Sequence, residues 1–514
     1  MSEGFPMSLG STAVVLGGSM AGLCAAGALA PHFDRVVVLE RDELPADAEH
    51  RRGVPQSKHP HFLLNSGRRA ISDLFPGFEQ DLIAAGGLHL IASMDTAYLE
   101  DPGWAPRKQG TMTMVYSSRI LIERVLRDKV RELDNVSTRE GVSVTGIATT
   151  AGGTAQGRVT GVTFTGAAGE ERIDADLVVD ALGRGSSVSD WLAAAGWSAP
   201  PVQTLDAKVT YTSRWYDLPS PQDRPKAWWW QHMVIMPTQD KGPHPDEHDF
   251  LVNFFPIEGN RAIACMGSWG IDMPRTTSDF VASAERVRTP KFAAAMAACE
   301  PTSEVHLTRS TGNKWRRYDR LATPPLGLVF VGDSICAFNP FYAQGISSAA
   351  ASALLLRDKL GAAAASGQDL DQRFFKRFLA EQRRGLKVPW GMAMARDKGY
   401  ECATGTETLP EWQRRILASM TWPMFNLITG AAREDAVVDD HFARVFNLDE
   451  SLAEMMRSPR VLWGLLRYRV SSLFGRYRVP FGFDARQDPP GTDWTPGGAA
   501  YEKELAGSGK GSGR

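Results

Sequence analysis

A short apolar run followed by closely spaced glycines can seat a phosphate, and this chain carries such a run near its start. Thr12 to Leu16 reads as a buried strand, Gly17-Gly18-Ser19-Met20-Ala21-Gly22 follows at once, and Leu23 to Leu29 is small and apolar. Glycines spaced G-x-G-x-x-G between a strand and a helix form the dinucleotide fingerprint. Its three positions here are Gly17, Ser19 and Gly22, so a serine replaces the glycine that normally lets the backbone approach the pyrophosphate. Ala26 is small where the helix must press on a sheet. Glu40 ends a second apolar run, Arg35 to Leu39, and stands 18 residues past Gly22, where a carboxylate accepts hydrogen bonds from ribose hydroxyls. The helix start offers free N–H groups and a positive dipole end to the pyrophosphate, with Met20 and Ala21 in its first turn. Glu40, followed by Arg41, favours a plain ribose over a 2′-phosphate and so disfavours NADP at this position. The bland alternative is a glycine-rich turn in an ordinary α/β protein. Strand, helix, second strand and acid in that order favour dinucleotide binding.

Three later segments carry the same kind of signal. Asp176-Leu177-Val178-Val179-Asp180-Ala181-Leu182-Gly183-Arg184 is a buried strand ending in an acid, then a glycine-bearing turn. Leu328-Val329-Phe330-Val331-Gly332-Asp333-Ser334 is a buried strand followed by Gly-Asp. Asn339-Pro340-Phe341-Tyr342-Ala343-Gln344-Gly345-Ile346 leads into a helix.

On these segments, over roughly residues 12–360, the chain resembles the FAD-dependent monooxygenases of the aromatic-hydroxylase and squalene-epoxidase type. Arg51-Arg52-Gly53-Val54-Pro55-Gln56 with His59 and His61, and Asn339 to Tyr342, look most like the flavin epoxidases that act on polyene precursors of polyether antibiotics. The resemblance implies non-covalent FAD. Gly332 and Asp333 would meet the ribityl chain, whose hydroxyls suit a carboxylate. Pro340, Ala343, Gln344, Gly345 and Ile346 would run beside the isoalloxazine, with Ala343 standing where the family usually has glycine. Asp180 matches an acid linked with FAD and NAD(P)H, and Arg52 and Arg119 would lie near the flavin or its phosphates. Ordinary alternatives are a helix cap for Asp333 and a surface ion pair for Arg119.

The implied activity is that of a monooxygenase. NADPH or NADH reduces the flavin, O2 gives a C4a-hydroperoxide, and one oxygen passes to a large lipophilic polyene or polyketide-type substrate by epoxidation or hydroxylation. The flavin carries this chemistry, so no catalytic side chain is assigned. No second nucleotide motif is visible, so the nicotinamide would bind transiently. A substrate pocket is expected from aromatic residues between the motifs: Trp215, Trp228, Trp230, Phe254, Phe341, Tyr342 and Trp390. Ordinary core packing is the alternative for each. Three adjacent tryptophans, Trp228 to Trp230, cannot all face one side of a strand.

The elements needed to position these residues define an α/β protein. It has a Rossmann-type FAD-binding domain, an inserted mainly antiparallel β-sheet substrate domain and a helical C-terminal region. The expected divisions are 1–200 and 311–365 for FAD binding, 201–310 for the substrate sheet, 366–485 for the helices and 486–514 for a flexible tail. A helix is expected over Ser117 to Glu132, strands over 141–148, 157–165 and 171–180, and an alanine-rich helix from Gly345 to Leu360.

Composition excludes several classes. A net charge of −2 gives no footprint for nucleic acid. The 5 cysteines form no CxxC pair, and the 10 histidines show no metal-site spacing beyond His59 and His61, which lack a second ligand pair. No disulfide framework and no metal are therefore expected. Neither a signal peptide nor an apolar run of membrane-spanning length is visible, so a cytoplasmic location is expected. Arg457 to Arg478 mixes apolar residues with six arginines. Packing on its own protein is the favoured reading there, and an amphipathic helix on a membrane surface the lesser one.

Two competing functions remain. A flavin halogenase shares the N-terminal layout, but no W-x-W-x-I-P segment occurs and Lys58 is the only lysine near the flavin-proximal segment. A non-catalytic relative binding lipid or prenylated cargo would lose the Gly-Asp segment, which Gly332 and Asp333 retain.

Overall fold

The computed structural model describes residues 8–100, 103–107, 112–150, 152–154, 156–225, 228–237, 250–309 and 311–475, with single positions at 499 and 503. The tail expected from residue 486 therefore lies outside the described residues, those two positions apart.

The first strand, Gly10–Leu16, is the middle of a five-stranded parallel sheet. On one side lie Phe33–Leu39 and then Val136–Arg139; on the other lie Leu177–Asp180 and then Leu328–Phe330. Buried on both faces, such strands must be continuously apolar; Ala13, Val14, Val15 and Leu16 are fully enclosed. The registers Leu16↔Leu39, Leu16↔Asp180 and Asp180↔Phe330 bring the carboxyl ends of four strands into one line. The chain leaves the first strand toward one side and later fills the other. This reversal opens a crevice at the strand ends, where ligands of open α/β sheets bind.

The helix Met20–Leu29 is built of small residues because it is enclosed on nearly every side. A Cβ on Gly27 would come within 2.2 Å of Phe75, in the residue just past the helix Asn65–Leu74. The long helix Gly345–Ser366 packs across it. Ser118 caps the helix Arg119–Arg131, its hydroxyl accepting from Leu121 N, so the helix starts two residues later than the periodicity predicts. The strand expected over 171–180 is two strands. Gly169–Asp174 belongs to a three-stranded antiparallel meander and Leu177–Asp180 to the parallel sheet, with the change of sheet at Ala175 and Asp176.

A second sheet of eight strands is mainly antiparallel, its long strands being Val209–Asp217, Arg261–Trp269 and Leu251–Ile257. His232–Ile235 joins it, and pairs in parallel with Thr96–Glu100 from far earlier in the chain. One face is covered by the helices Thr277–Glu285 and Lys291–Ala297 through Phe280, Phe292 and Met296. The opposite face carries Trp215, Phe255 and Ile263, packed with Tyr116 and Phe62. After Gly345–Ser366, the helix Gln372–Asp397 adds to the core of the parallel-sheet domain. Glu411–Ala432, Ala436–Phe446 and Pro459–Leu473 share a smaller core of their own.

Candidate functional site

The turn after the first strand has a shape only glycine permits at two positions. Gly17 has φ +100°, and a Cβ there would sit 2.8 Å from the Ala181 carbonyl oxygen. A Cβ on Gly22 would lie 1.8 Å from the Gly17 oxygen. Ser19 is the N-cap of Met20–Leu29, yet its hydroxyl does not cap the helix. It accepts instead from Arg119 Nη2 at 2.9 Å. The first intrahelical bond runs from Leu23 N to Ser19 O, so the amides of Met20, Ala21 and Gly22 precede the ladder and open toward the crevice. The serine at the middle position thus turns its side chain toward Arg119 and leaves the first amides of the helix without a side-chain cap.

Around this turn lies a buried ionic cluster. Glu40 accepts from Gly18 N at 2.7 Å and from Asp42 N at 3.0 Å. Arg51 pairs with Glu40 at 3.2 Å, Asp42 at 2.8 Å and Glu123 at 2.8 Å. Arg119 pairs with the other oxygen of Glu123 at 2.6 Å. Burial alone would push the Glu123 carboxyl up, but Arg119 and Arg51 together hold it below its ordinary range. A small cleft opens beside the cluster, lined by Arg51, Ser57, Arg119 and Glu123 among others. The guanidinium beside the turn is therefore Arg51, not the expected Arg52, which is exposed. Arg41, also expected to contact the cofactor, is largely exposed.

The second motif meets the first. Gly332 has φ +64°, and a Cβ on it would come within 2.7 Å of the Ala21 Cβ. Residues more than 300 positions apart thus touch at the sheet's carboxyl edge. Asp333 pairs with Arg184 at 3.2 Å and stays about one-third exposed. Arg184 also donates to the carbonyls of Gly312 and Phe338, joining this motif to the turn after Asp180. Asp180 is fully buried and accepts from Leu182 N at 3.0 Å and Ser186 Oγ at 2.6 Å. Burial pushes its carboxyl up to about 6. It shapes the Ala181–Ser186 turn from within.

The third motif is a tight turn, Pro340–Tyr342, entering the helix Gly345–Ser366. Asn339 caps it, its side chain accepting from Phe341 N, and Ala343 closes it in the left-handed region at φ +55°. Gln344 is buried, and its Oε1 has no hydrogen-bond partner among the described residues. Pro340 is exposed, while Gly345 and Ile346 are partly so. The turn is anchored by Asp397, the last residue of Gln372–Asp397. Asp397 accepts from Tyr342 OH at 2.8 Å, Asn339 Nδ2 at 3.1 Å, Asn313 Nδ2 at 2.8 Å and Trp269 Nε1 at 3.1 Å.

A pyrophosphate-bearing dinucleotide fits this edge. The uncapped helix start, the glycines at van der Waals contact and the unpaired Gln344 oxygen are all features that a bound group would complete. No group of three or more His, Cys, Asp or Glu suited to a metal occurs among the described residues.

The seven residues expected to line one substrate pocket fall in separate places. Trp228, Trp230 and Phe254 pack together on the helix-covered face of the large sheet, Trp228 and Trp230 stacking at 4.9 Å and Phe254 meeting Phe292. Alternation along the strand turns Phe254 away from Phe255, which faces the other way. Trp390 packs on Trp315 at 5.3 Å in the parallel domain's core. Trp215 lies on the inner face and donates to the Lys58 carbonyl at 2.9 Å. Phe341 and Tyr342 stay together beside Trp269.

Arg119 was expected at the site, whereas its helix neighbours Glu123 and Arg127, and the more distant Asp397, were not. Arg119, Glu123 and Arg127 stand four apart in a helix, so their shared face was visible in the sequence. Asp397 gave no local signal, because its four donors lie between 55 and 128 residues away.

The crevice, the two sheets and their connection have the fold of flavin-dependent monooxygenases. The chain superposes on a p-nitrophenol 4-monooxygenase, PnpA, of Pseudomonas putida DLL-E4 with a TM-score of 0.59 at 16% identity, over 86% of this chain and 99% of that one. The flavin-dependent brominase Bmp2 gives the same TM-score of 0.59 at 13% identity, over 91% of this chain and 100% of that one. No protein-family model matches the chain. It is 31% identical over 456 residues to Protein Rv3254 of Mycobacterium tuberculosis (strain ATCC 25618 / H37Rv), spanning 86% of this chain and 90% of that protein. The chain belongs to the family of that protein.

Proposed function

We propose that the protein is an FAD-dependent monooxygenase that oxygenates a large lipophilic alkene of polyene or polyketide type. The observation that carries this reading is the contact of Gly332 with Ala21, which joins the Gly17–Gly22 turn and the Gly332–Asp333 segment at one crevice. The amides of Met20, Ala21 and Gly22 would hold the pyrophosphate, with the Arg119 guanidinium, which donates to Ser19, beside it and the Arg51 cluster fixing the turn behind. Glu40 would accept from the ribose hydroxyls, and Asp333 from the ribityl chain. The amides at the start of Gly345–Ser366 would face the flavin edge that gains negative charge on reduction. When bound, FAD reduced by NADPH or NADH supplies dioxygen activation and oxygen transfer.

The residues around the inner sheet face support an alkene over a phenol. A phenol needs a base to remove its proton, whereas alkene π electrons attack directly. His59 and His232, both buried there, are pulled down by burial to about 3 and about 4, so they are weak bases. Their neighbours Trp215, Phe62, Tyr116 and Phe255 exclude water and suit an apolar chain.

Purified protein should take up FAD with the visible absorbance of bound flavin. Asp333→Ala should weaken retention about 10- to 100-fold, the worth of a hydrogen bond to a charged group. Under anaerobic conditions NADPH or NADH should reduce the flavin faster when a polyene is present, and oxygen uptake should then yield an epoxide. A protein that never binds FAD, or whose reduction and oxygen uptake ignore every substrate, overturns the reading. The brominase likeness supports one alternative: a product that forms only with bromide or chloride would make the protein a halogenase.

A further inference from the structure

We infer that the C-terminal helical region docks on an anionic lipid surface through the outer face of the helix Pro459–Leu473. That helix is already satisfied on its inner side. Val461, Gly464 and Leu465 are buried there, and a Cβ on Gly464 would come within 2.6 Å of Val438. Tyr468 on the same side closes against Gly430 of the neighbouring helix. The outer side holds Leu462, Trp463, Leu466, Val470, Leu473 and Phe474, every one exposed, with Trp463 at 64%, Leu473 at 69% and Phe474 at 73%. At about 100° per residue these six fall within an arc of about 120°, roughly opposite the packed side. The helix needs none of them for its own fold.

Charge says what covers them. Arg460 and Arg467 border the arc on one side and Arg469 on the other, all three exposed, with Arg467 also paired to Asp435 at the start of the neighbouring helix at 2.8 Å. No acidic residue occurs between Met455 and Gly475, and Arg476 and Arg478 extend the basic run in the sequence. An apolar arc with indole and phenyl rings and arginines at both borders is the pattern of a helix lying in the headgroup plane of an acidic membrane. A second copy fits less well. A two-fold contact would set the same arginine-bordered arc against itself, with no carboxylates on this helix to pair them. The bundle repeats the pattern once more: Trp412, Ile416 and Met420, spaced four apart in Glu411–Ala432, are each more than half exposed. No described helix is long and apolar enough to cross a membrane, so the contact is peripheral. It would bring the protein to the phase in which a lipophilic molecule concentrates, but it does not rest on the proposed activity.

The test is sedimentation of the full-length protein with vesicles of phosphatidylglycerol and phosphatidylcholine mixed, and of phosphatidylcholine alone. Binding should favour the anionic vesicles and fall as salt rises. Arg460→Gln with Arg469→Gln should weaken it about fivefold per arginine. Leu462→Glu with Leu466→Glu should weaken it at least tenfold, with an unchanged circular dichroism spectrum and melting temperature, since both side chains are exposed. Failure to bind either vesicle overturns the inference, as does binding that ignores both double variants. A dimer in sedimentation velocity that Leu462→Glu with Leu466→Glu dissociates, without vesicle binding, would assign the face to a second copy instead.

Discussion

Ala343 sits at φ +55°, in the left-handed region that an L-residue enters at a cost of about 1–2 kcal/mol. Glycine carries no such cost, although it loses more freedom on folding, about 0.4–1 kcal/mol. The first term exceeds the second, so Ala343→Gly should stabilise the protein by up to about 1 kcal/mol, read as a higher urea midpoint with an unchanged slope. A lower midpoint would mean that the methyl packs usefully in the turn. Legibility at this scale follows the range of the constraint. Gly22 was readable because it is dictated by an atom five residues away along a fixed spacing, as the 1.8 Å approach of a Gly22 Cβ to Gly17 O shows, and Gly17 because its own φ of +100° belongs to that turn, although the oxygen it would meet is that of Ala181. Choosing Arg51 over Arg52 was not, because adjacent side chains leave an irregular segment in different directions and only the path of that segment decides which turns inward.

Among elements, the end of Gln372–Asp397 matters most to the site. Asp397 is fully buried, and its carboxylate gathers donors from the strand Arg261–Trp269, the strand Asn313–Arg316 and the Asn339–Tyr342 turn. Burial pushes its carboxyl above the ordinary range, against the pull of those four bonds. Asp397→Ala would strand four donors, each buried unmet group costing about 1–3 kcal/mol, so a loss of at least about 3 kcal/mol is expected even after water enters. Because Tyr342 and Asn339 belong to the turn proposed to border the flavin, FAD affinity should fall as well, measured by fluorescence titration under conditions where the variant is folded. Intact stability would show that the four bonds contribute little. Loss of stability with unchanged FAD affinity would confine Asp397 to a scaffold role. Helical structure after residue 370 was legible from the sequence, whereas this closure was not, since periodicity reports a face and not the partner that meets it.

Across the whole molecule, the parallel sheet was legible where its strands end in apolar runs followed by their own turns, as at Leu16, Leu39, Val179 and Phe330, whereas the edge strand Val136–Arg139, with Ser137, Thr138 and Arg139, gave no such signal. The large sheet was only partly so. Thr96–Glu100 enters it by parallel pairing with His232–Ile235, a partner chosen by tertiary packing more than 130 residues away. That sheet buries His59, through Ser213, and His232, through Asn253, both at 2.8–2.9 Å. Their burial makes stability depend on pH. Folded, they titrate at about 3 and about 4, against 6.5 unfolded. Between pH 6 and 5 the unfolded chain therefore holds most of two protons that the folded chain refuses. This contribution is full above pH 6.5 and is lost as pH falls. Asp180 acts in the opposite sense: titrating at about 6 when folded against 3.8 otherwise, it keeps a proton the unfolded chain has released, so its contribution is lost as pH rises through that window. For these three groups, two protons against one leave a loss of roughly 1.4 kcal/mol per pH unit on acidification, and His61, pulled down by burial to about 4, adds a like amount. Burial pushes His50 and His306 down too, which adds to the loss. Urea unfolding at pH 6 and pH 5 should show it, and His59→Gln should reduce the slope by roughly 1.4 kcal/mol per unit. An undiminished slope in that variant would mean that His59 already carries its proton in the folded protein, which the enclosed Ser213 contact and the Tyr211 ring at 4.6 Å argue against.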